Sequence, residues 1–262
     1  MHDLSISSMT RAIEANLWAY WKLFARLSQA HLQDTPELLW VATGRPFPFM
    51  NGVVRTCLTS DKVDDMVAAT IDQFKQRKVP ALWLIGPSSQ PATLDQTLAA
   101  HGLRHTGDDP GMAIDLHQLN DDVSPPLGFI IKRVDDATAL NIWCSFTDQV
   151  ELVNALTEFG MAVGFDRDRT LIHYLGWLHG KPVATASLVL GGGVAGIYNV
   201  MTIPEVQRQG IGSLMTVVPL QEARAMSYRI GVLQSTKMGV SLYRRLGFRE
   251  YGSFRIYLWP QQ

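Results

Sequence analysis

The sequence contains little cysteine: two residues in 262, Cys57 and Cys144. They stand far apart, with no second ligand-type residue at metal spacing, which excludes a disulfide framework and a cysteine-based zinc site. A reduced, cytoplasmic setting is expected. An excess of one charge is also lacking. Lys plus Arg number 23 and Asp plus Glu 24, a formal net charge of -1, so no bulk attraction draws a polyelectrolyte, and nucleic acid is not an expected partner. No apolar run precedes Arg11, and Asp3 interrupts the start, so a secretory signal is not expected. His101 with His105 and His173 with His179 form pairs that lack a third ligand. They read as solvated or capping side chains, and no metal is expected.

A charge-free stretch does occur, from Pro182 to Pro204, and it is long enough to cross a bilayer. Gly191, Gly192 and Gly193 sit at its middle between strand-forming runs, so two buried strands joined by a tight turn are expected, and no membrane partner. The same glycines, with Gly196, formally match a dinucleotide fingerprint. That fingerprint must open a helix, whereas Ile197 to Met201 continues as a strand, so the match carries no function. Ser88 and Ser89 lack a nucleophile elbow, and the adjacent carboxylates Asp64-Asp65 and Asp108-Asp109 cannot face one point, so hydrolysis is unsupported.

What is present is an ordinary globular composition, 47% hydrophobic and 18% charged, at a length expected for one or two compact domains. Residues 1 to 124 carry 10 basic and 14 acidic side chains and the remainder 13 and 10, so the C-terminal part suits an anion better. An amphipathic helix is expected over Ile13 to Leu27. Strands follow at Leu38 to Ala42 and Val53 to Leu58, a helix at Lys62 to Lys78, a strand at Ala81 to Ile85 and a helix at Ala92 to Ala100. Leu119 to Gly128, with two prolines, acids and a glycine, reads as a linker. Beyond it come a strand at Phe129 to Arg133, helical stretches over Thr138 to Val163, and strands near Ile172 to Leu178, Val183 to Leu190 and Val194 to Met201. A helix at Gly210 to Ser227, a strand at Ile230 to Gln234, a helix through Leu246 and a hairpin over Phe248 to Leu258 complete the chain. Ala81 to Leu116 and Ile230 to Trp259 share one element order, which suggests a duplication. The loop Gly44 to Gly52, with Arg45, Phe47 and Phe49, reads as a recognition surface.

The segment Gln207-Arg208-Gln209-Gly210-Ile211-Gly212 lies between a strand and a long helix. Glycines there let the backbone curl close to a ligand, and the free amides of the first helical turn point at phosphate oxygens. Further on stands Leu242-Tyr243-Arg244-Arg245-Leu246-Gly247-Phe248. Together these resemble the pyrophosphate loop and the L-Y-x-x-x-G-F element of the GNAT superfamily of acyl-CoA-dependent N-acetyltransferases, a resemblance that covers Phe129 to Trp259.

The resemblance implies a mixed α/β fold of tandem GNAT-like domains: a degenerate copy at 1–118, a linker at 119–128 and an acetyltransferase domain at 129–262. It implies acetyl-CoA as cosubstrate, released as CoA, and a small-molecule or peptide amine as acceptor, in a monomer or homodimer. The pantetheine arm is expected in a wedge between Ile197 to Thr202 and Ile230 to Gln234. The cofactor contacts carried over are Val200, Met201, Thr202, Gln207, Arg208, Gln209, Gly210, Ile211, Gly212, Ser213, Thr236 and Gly239. Tyr243 matches the family's acid for the departing thiolate. Many relatives carry Asn and Ala where this chain has Thr236 and Gly239. Many also place an acidic base on the strand matching Val194 to Met201, which has none here; Glu158 is the expected base, with Glu151, Asp148 or a water relay as alternatives. A CoA-binding sensor or partner-binding module without catalysis is the rival reading. Pro219 is expected to kink its helix.

Overall fold

The computed structural model describes residues 4–165 and 170–259; Asp3 lies outside the described residues. In chain order the elements are α1 (Ile6–Leu23), β1 (His31–Asp34), β2 (Leu38–Ala42), β3 (Asn51–Thr56), α2 (Val63–Gln76), β4 (Ala81–Ile85), α3 (Leu94–Ala100), β5 (Arg104–Asp115), β6 (Phe129–Arg133), α4 (Ala137–Cys144), α5 (Val150–Val163), β7 (Leu171–Leu178), β8 (Lys181–Gly191), β9 (Val194–Thr202), α6 (Ile211–Ala225), β10 (Ile230–Gln234), α7 (Val240–Arg245) and β11 (Arg249–Trp259). They form two compact units, Met1–Asn16 with Gly111–Tyr251, and Leu17–Pro110 with Gly252–Gln262. The unit boundaries fall within α1, β5 and β11, and residues 119–128 lie inside the first unit.

In the first unit the strand order is β5-β10-β9-β8-β7-β6. Neighbours are antiparallel except β9 and β10, which are parallel and joined through α6. Side chains alternate between the two faces of a strand, so a strand covered on both faces reads as unbroken apolar sequence. β7 shows this. Ile172 and Tyr174 join Leu214, Met215 and Leu220 of α6 in one core, whereas Leu175 joins Leu140, Trp143 and Cys144 of α4 in another. The charge-free stretch is the β8–β9 hairpin, turned at Gly192 and Gly193 with φ of 63° and 76°, which glycine adopts at little cost. No helix among the described residues is long and apolar enough to cross a membrane.

The second unit has the order β1-β2-β3-β4-β11-β5, in which β3 and β4 are parallel. Trp40, Val67, Phe74, Trp83, Leu94 and Leu98 lie in its core. The run β3–α2–β4–α3–β5 thus repeats β9–α6–β10–α7–β11 in element order, a duplicated arrangement on mixed α/β sheets.

Several expectations are corrected. The hairpin expected over Phe248 to Leu258 is one long strand, β11, and β5 is likewise a single strand. Gly252 resembles a turn residue in sequence, but a Cβ there would lie 2.4 Å from Pro87 Cγ; this glycine permits a close approach inside a strand. Each of the two strands pairs with the other repeat's strand, β5 with β10 and β11 with β4, so the repeat in sequence differs from the compact unit in space. α1 begins at Ile6 rather than Ile13; its first turns are mostly small and polar, and of residues 6–12 only Met9 is buried. Pro219 lies buried inside α6 without ending it. The stretch 119–128 has no regular secondary structure yet is tied down: Asn120 N donates to Leu246 O at 3.0 Å, and Asp121 accepts from Arg224 at 3.0 Å and Gln221 at 3.1 Å.

Candidate active site

β9 and β10 pair at two positions only, Ala195 with Gly231 and Gly196 with Val232. Beyond them each strand keeps its outer neighbour, Thr202 opposite Ala184 of β8 and Gln234 opposite Gly111 of β5. The two strands therefore part, and the wedge expected between Ile197 to Thr202 and Ile230 to Gln234 is open. β9 carries one extra residue at this point. Thr185 and Ser187 of β8 face Met201 and Tyr198, and Asn199 takes φ 52°, the signature of a β-bulge.

Below the wedge the chain leaves β9 through Pro204–Val206 and enters α6. Gln207 Nε2 donates to Thr202 O at 3.0 Å. Arg208 has φ 62° and Gly210 φ 80°, and no side chain caps α6. Its first-turn amides therefore lack intrahelical acceptors and share the positive end of the helix dipole. At Gly210 the space a Cβ would take is open, with only Val123 Cγ1 nearby, at 3.8 Å. Such a cradle, with the exposed Arg208 beside it, fits a diphosphate.

The cleft measures about 620 Å³, within the range of small-molecule sites. Val200 and Thr202 reach it from β9, and Gln207, Arg208, Gly210, Ile211, Gly212 and Ser213 from the loop and α6. Thr236, Gly239 and Tyr243 close it from the other side. Met201, Gln209 and Glu158 do not line it; Met201 is exposed, as strand alternation from Val200 and Thr202 requires. Val206, Met238, Ser241, Leu242 and Arg245 also line the cleft. For Leu242 and Arg245 the signal lay in the same short motif as Tyr243.

Tyr243 is half-buried, edge-on to Phe248 at 5.9 Å. Burial pushes its phenol up to about 12, with the Thr216 hydroxyl pulling the other way. Gly239 has a local cause: a Cβ there would stand 2.9 Å from Ser235 Oγ and 3.0 Å from Tyr243 Cε2. The glycine gives the tyrosine ring its seat.

No acidic side chain lines the cleft among the described residues. Glu158 is half-buried on α5, which packs against α4, while Asp148 and Glu151 are exposed. His173 departs from the solvated role expected of it. It is 8% exposed, packs at a tilt against Trp143 with ring centroids 4.1 Å apart and meets Ser187 Oγ through Nδ1 at 2.8 Å. His101 and His105 pair with Asp64 and Asp108, and no cluster suited to a metal occurs among the described residues. Phe47, expected at a recognition surface, is buried and stacked on Phe49.

Residues 168–250 match the family model described as an acetyltransferase (GNAT) domain. A GCN5-related N-acetyltransferase from Kribbella flavida superposes with a TM-score of 0.68 at 18% identity, covering 95% of this chain and 96% of that one. A tandem GNAT protein from the clavulanic acid biosynthesis pathway gives 0.62 at 13% identity, with 90% and 84% covered. A GCN5-related N-acetyltransferase from Sphaerobacter thermophilus gives 0.60 at 17% identity, with 85% and 80% covered. A sequence search of curated proteins returns no match. The parted strands, the uncapped helix entry and these likenesses lead to one conclusion: the chain carries the acetyltransferase fold of the GNAT superfamily, in a tandem arrangement.

Proposed function

We propose that the first unit is an acetyl-CoA-dependent N-acetyltransferase acting on an amine. The observation that carries this reading is the meeting, in one cleft, of a parted parallel strand pair and an uncapped helix N-terminus. A thioester on a long amide-bearing arm with a diphosphate at its far end needs both. The α6 amides and Arg208 would hold the diphosphate, and the edge of β9 at Val200 and Thr202 would take the arm as an added strand. Bound acetyl-CoA supplies an acyl group already activated as a thioester.

In direct attack, a bond forms between the amine nitrogen and the acetyl carbon, and the carbon–sulfur bond breaks. The backbone of β9 at the wedge orients the acyl group, and proximity supplies much of the rate. Tyr243 faces the sulfur end. A phenol near 12 is a weaker acid than an ordinary thiol near about 8.5, so Tyr243 stabilises the developing thiolate by donating a hydrogen bond, and the proton passes fully only where burial raises the sulfur too. An incoming ammonium must first lose one proton, and its nitrogen sheds a second as the amide forms, which balances the proton that the thiolate takes up. Glu158 is the proposed acceptor of the first proton, through bridging water, because it stands outside the cleft lining.

The test is thiol release from acetyl-CoA across a panel of small amines, amino acids and peptides, with Gly210→Glu as control. That substitution fills the cradle and adds a negative charge, so it should abolish CoA binding; unchanged affinity in the folded variant overturns the site. The cleft's lack of a carboxylate favours a second reading, a CoA-binding module without catalysis. CoA binding with no thiol release from any amine would establish it.

A further inference from the structure

Three polar side chains on three adjacent strands of the first unit form a ladder that neither the cleft lining nor the motifs include. His173 of β7 and Ser187 of β8 are register partners, and both are buried. His173 Nδ1 and Ser187 Oγ are 2.8 Å apart. From the other side Asn199 Nδ2 donates to Ser187 Oγ at 3.1 Å. Thr185 Oγ1, also on β8, donates to the backbone carbonyl of Asn199 at 2.9 Å. Ser187 and Thr185 thus hold Asn199 at both its side chain and its main chain.

Asn199 is the bulge residue, with φ 52°. The bulge lies just past Gly196 and Val232, the last parallel pair of β9 and β10, where the wedge opens. A non-glycine residue resists the left-handed region, and asparagine resists it least because its short polar side chain can bond locally. Here the side chain bonds across the strand pair to Ser187. His173, packed against the tilted Trp143 ring, in turn fixes Ser187.

We propose that His173 and Ser187 are positioning residues for acyl transfer: through Asn199 they hold the bulge that turns β9 away from β10 and so sets the width of the acyl-CoA wedge. This rests on the acetyl-CoA reading given above. The ladder touches no substrate. It acts on the direction of the β9 backbone, and therefore on Val200 and Thr202, which line the cleft.

The experiment compares wild type with Ser187→Ala, Asn199→Val and the double variant Ser187→Ala/Asn199→Gly, in the full chain. CoA affinity is read by calorimetry, acetyl-CoA turnover by thiol release, and the bulge by the Cα carbon chemical shift of residue 199, which reports a left-handed backbone without any ligand. Ser187→Ala and Asn199→Val should each weaken CoA binding about tenfold, the order of a left-handed residue's conformational cost. Glycine takes the bulge conformation unaided, so the double variant should return to within about threefold of wild type; loss of a mere packing contact would not be rescued in this way. Asn199→Val changes an exposed position and remains informative if Ser187→Ala fails to fold. Unchanged affinity in both single variants, or no rescue by glycine, overturns the proposal. Wild type that binds no CoA refutes the acetyl-CoA reading instead, and the ladder then stands or falls on whether the shift of residue 199 leaves the left-handed range in Ser187→Ala.

Discussion

Trp83 Nε1 donates to Thr56 Oγ1 at 2.9 Å, beside the point in the second unit where β3 and β4 cease to pair. Their parallel contact, like that of β9 and β10, is limited to two positions, Gly52 with Leu82 and Val53 with Trp83. The outcome beyond it differs. The chain returns after β4 and lays Gln90 along β3: Gln90 N donates to Thr56 O at 2.8 Å, Leu58 N donates to Gln90 O at 3.2 Å, and Cys57 forms a parallel bridge with Gln90. Counted from the last parallel pair, these places, at the end of β3 and just past it, correspond to the cleft-lining end of β9. The second wedge is filled by the protein's own backbone. α2 also begins with Asp64 and Asp65 in its first turn, which compete with a phosphate for the helix dipole. One CoA per chain is therefore predicted. Calorimetric stoichiometry checks this, and residual CoA binding in Gly210→Glu would show that the second wedge does admit ligand.

Tyr243→Phe removes a hydrogen bond needed as charge develops on sulfur, together with the phenol's contact to the Thr216 hydroxyl, while the ring keeps its seat against Gly239. Turnover should fall about 10²-fold, the lower range for a positioned proton donor, with CoA affinity near wild type. The phenol, pushed up to about 12, stays protonated throughout the working range. The pH profile of kcat should accordingly show no alkaline limb from this group below about 11, by its ordinary titration width. A limb near 10 that vanishes in Tyr243→Phe would show the phenol ionising as in water, against the burial argument.

Glu158→Gln preserves shape and removes the proposed proton acceptor. If water relays the acceptor's proton to Glu158, kcat/KM for the amine should fall at least about tenfold at pH 7 and lose less at alkaline pH, where more free amine is present. An equal loss at both values would make Glu158 a packing residue of α5.

The parts of this fold that follow local rules were legible from residues alone. The triple glycine between apolar runs marked the β8–β9 hairpin, and the glycines at 210 and 212 before an apolar-periodic run marked the α6 entry. The strand exchange was not legible. Gly107 and Gly252 look like turn residues, yet both lie inside long strands whose other ends pair at long range, β5 with β10 and β11 with β4. The ladder was hidden for a similar reason. His173, Ser187 and Asn199 are scattered in sequence and meet through register alone, although an asparagine inside an apolar strand was a usable signal of a bulge. Val206 and Met238 carry no motif and line the cleft because the loops around them fold there.

The joint between β5 and β10 offers a stability prediction. Asp115 and Ile230 are register partners, and Arg229 donates through Nε and Nη2 to Asp115 Oδ2 at 3.0 and 2.9 Å, while His117 N donates to Oδ1 at 3.0 Å. Burial alone would raise this carboxyl; Arg229 and the His117 amide outweigh it and hold the group below its ordinary value. A carboxyl depressed in the folded state contributes stability that is present above its unfolded value of about 3.9 and is lost as pH falls through the folded one. Arg229→Met leaves a buried carboxylate facing an apolar chain, at a cost of about 2–3 kcal/mol near neutral pH, at or below the low end for a broken buried pair because the arginine is partly exposed. Burial then dominates and the carboxyl rises, so the unpaired charge disappears on mild acidification, at pH values where wild type still keeps its own contribution. The Tm difference between the two proteins should be roughly 5–10 °C at pH 7 and shrink markedly by about pH 4. A difference that stays constant between these values would mean that Arg229 supports the joint by packing its methylene stem, with no contribution from its charge.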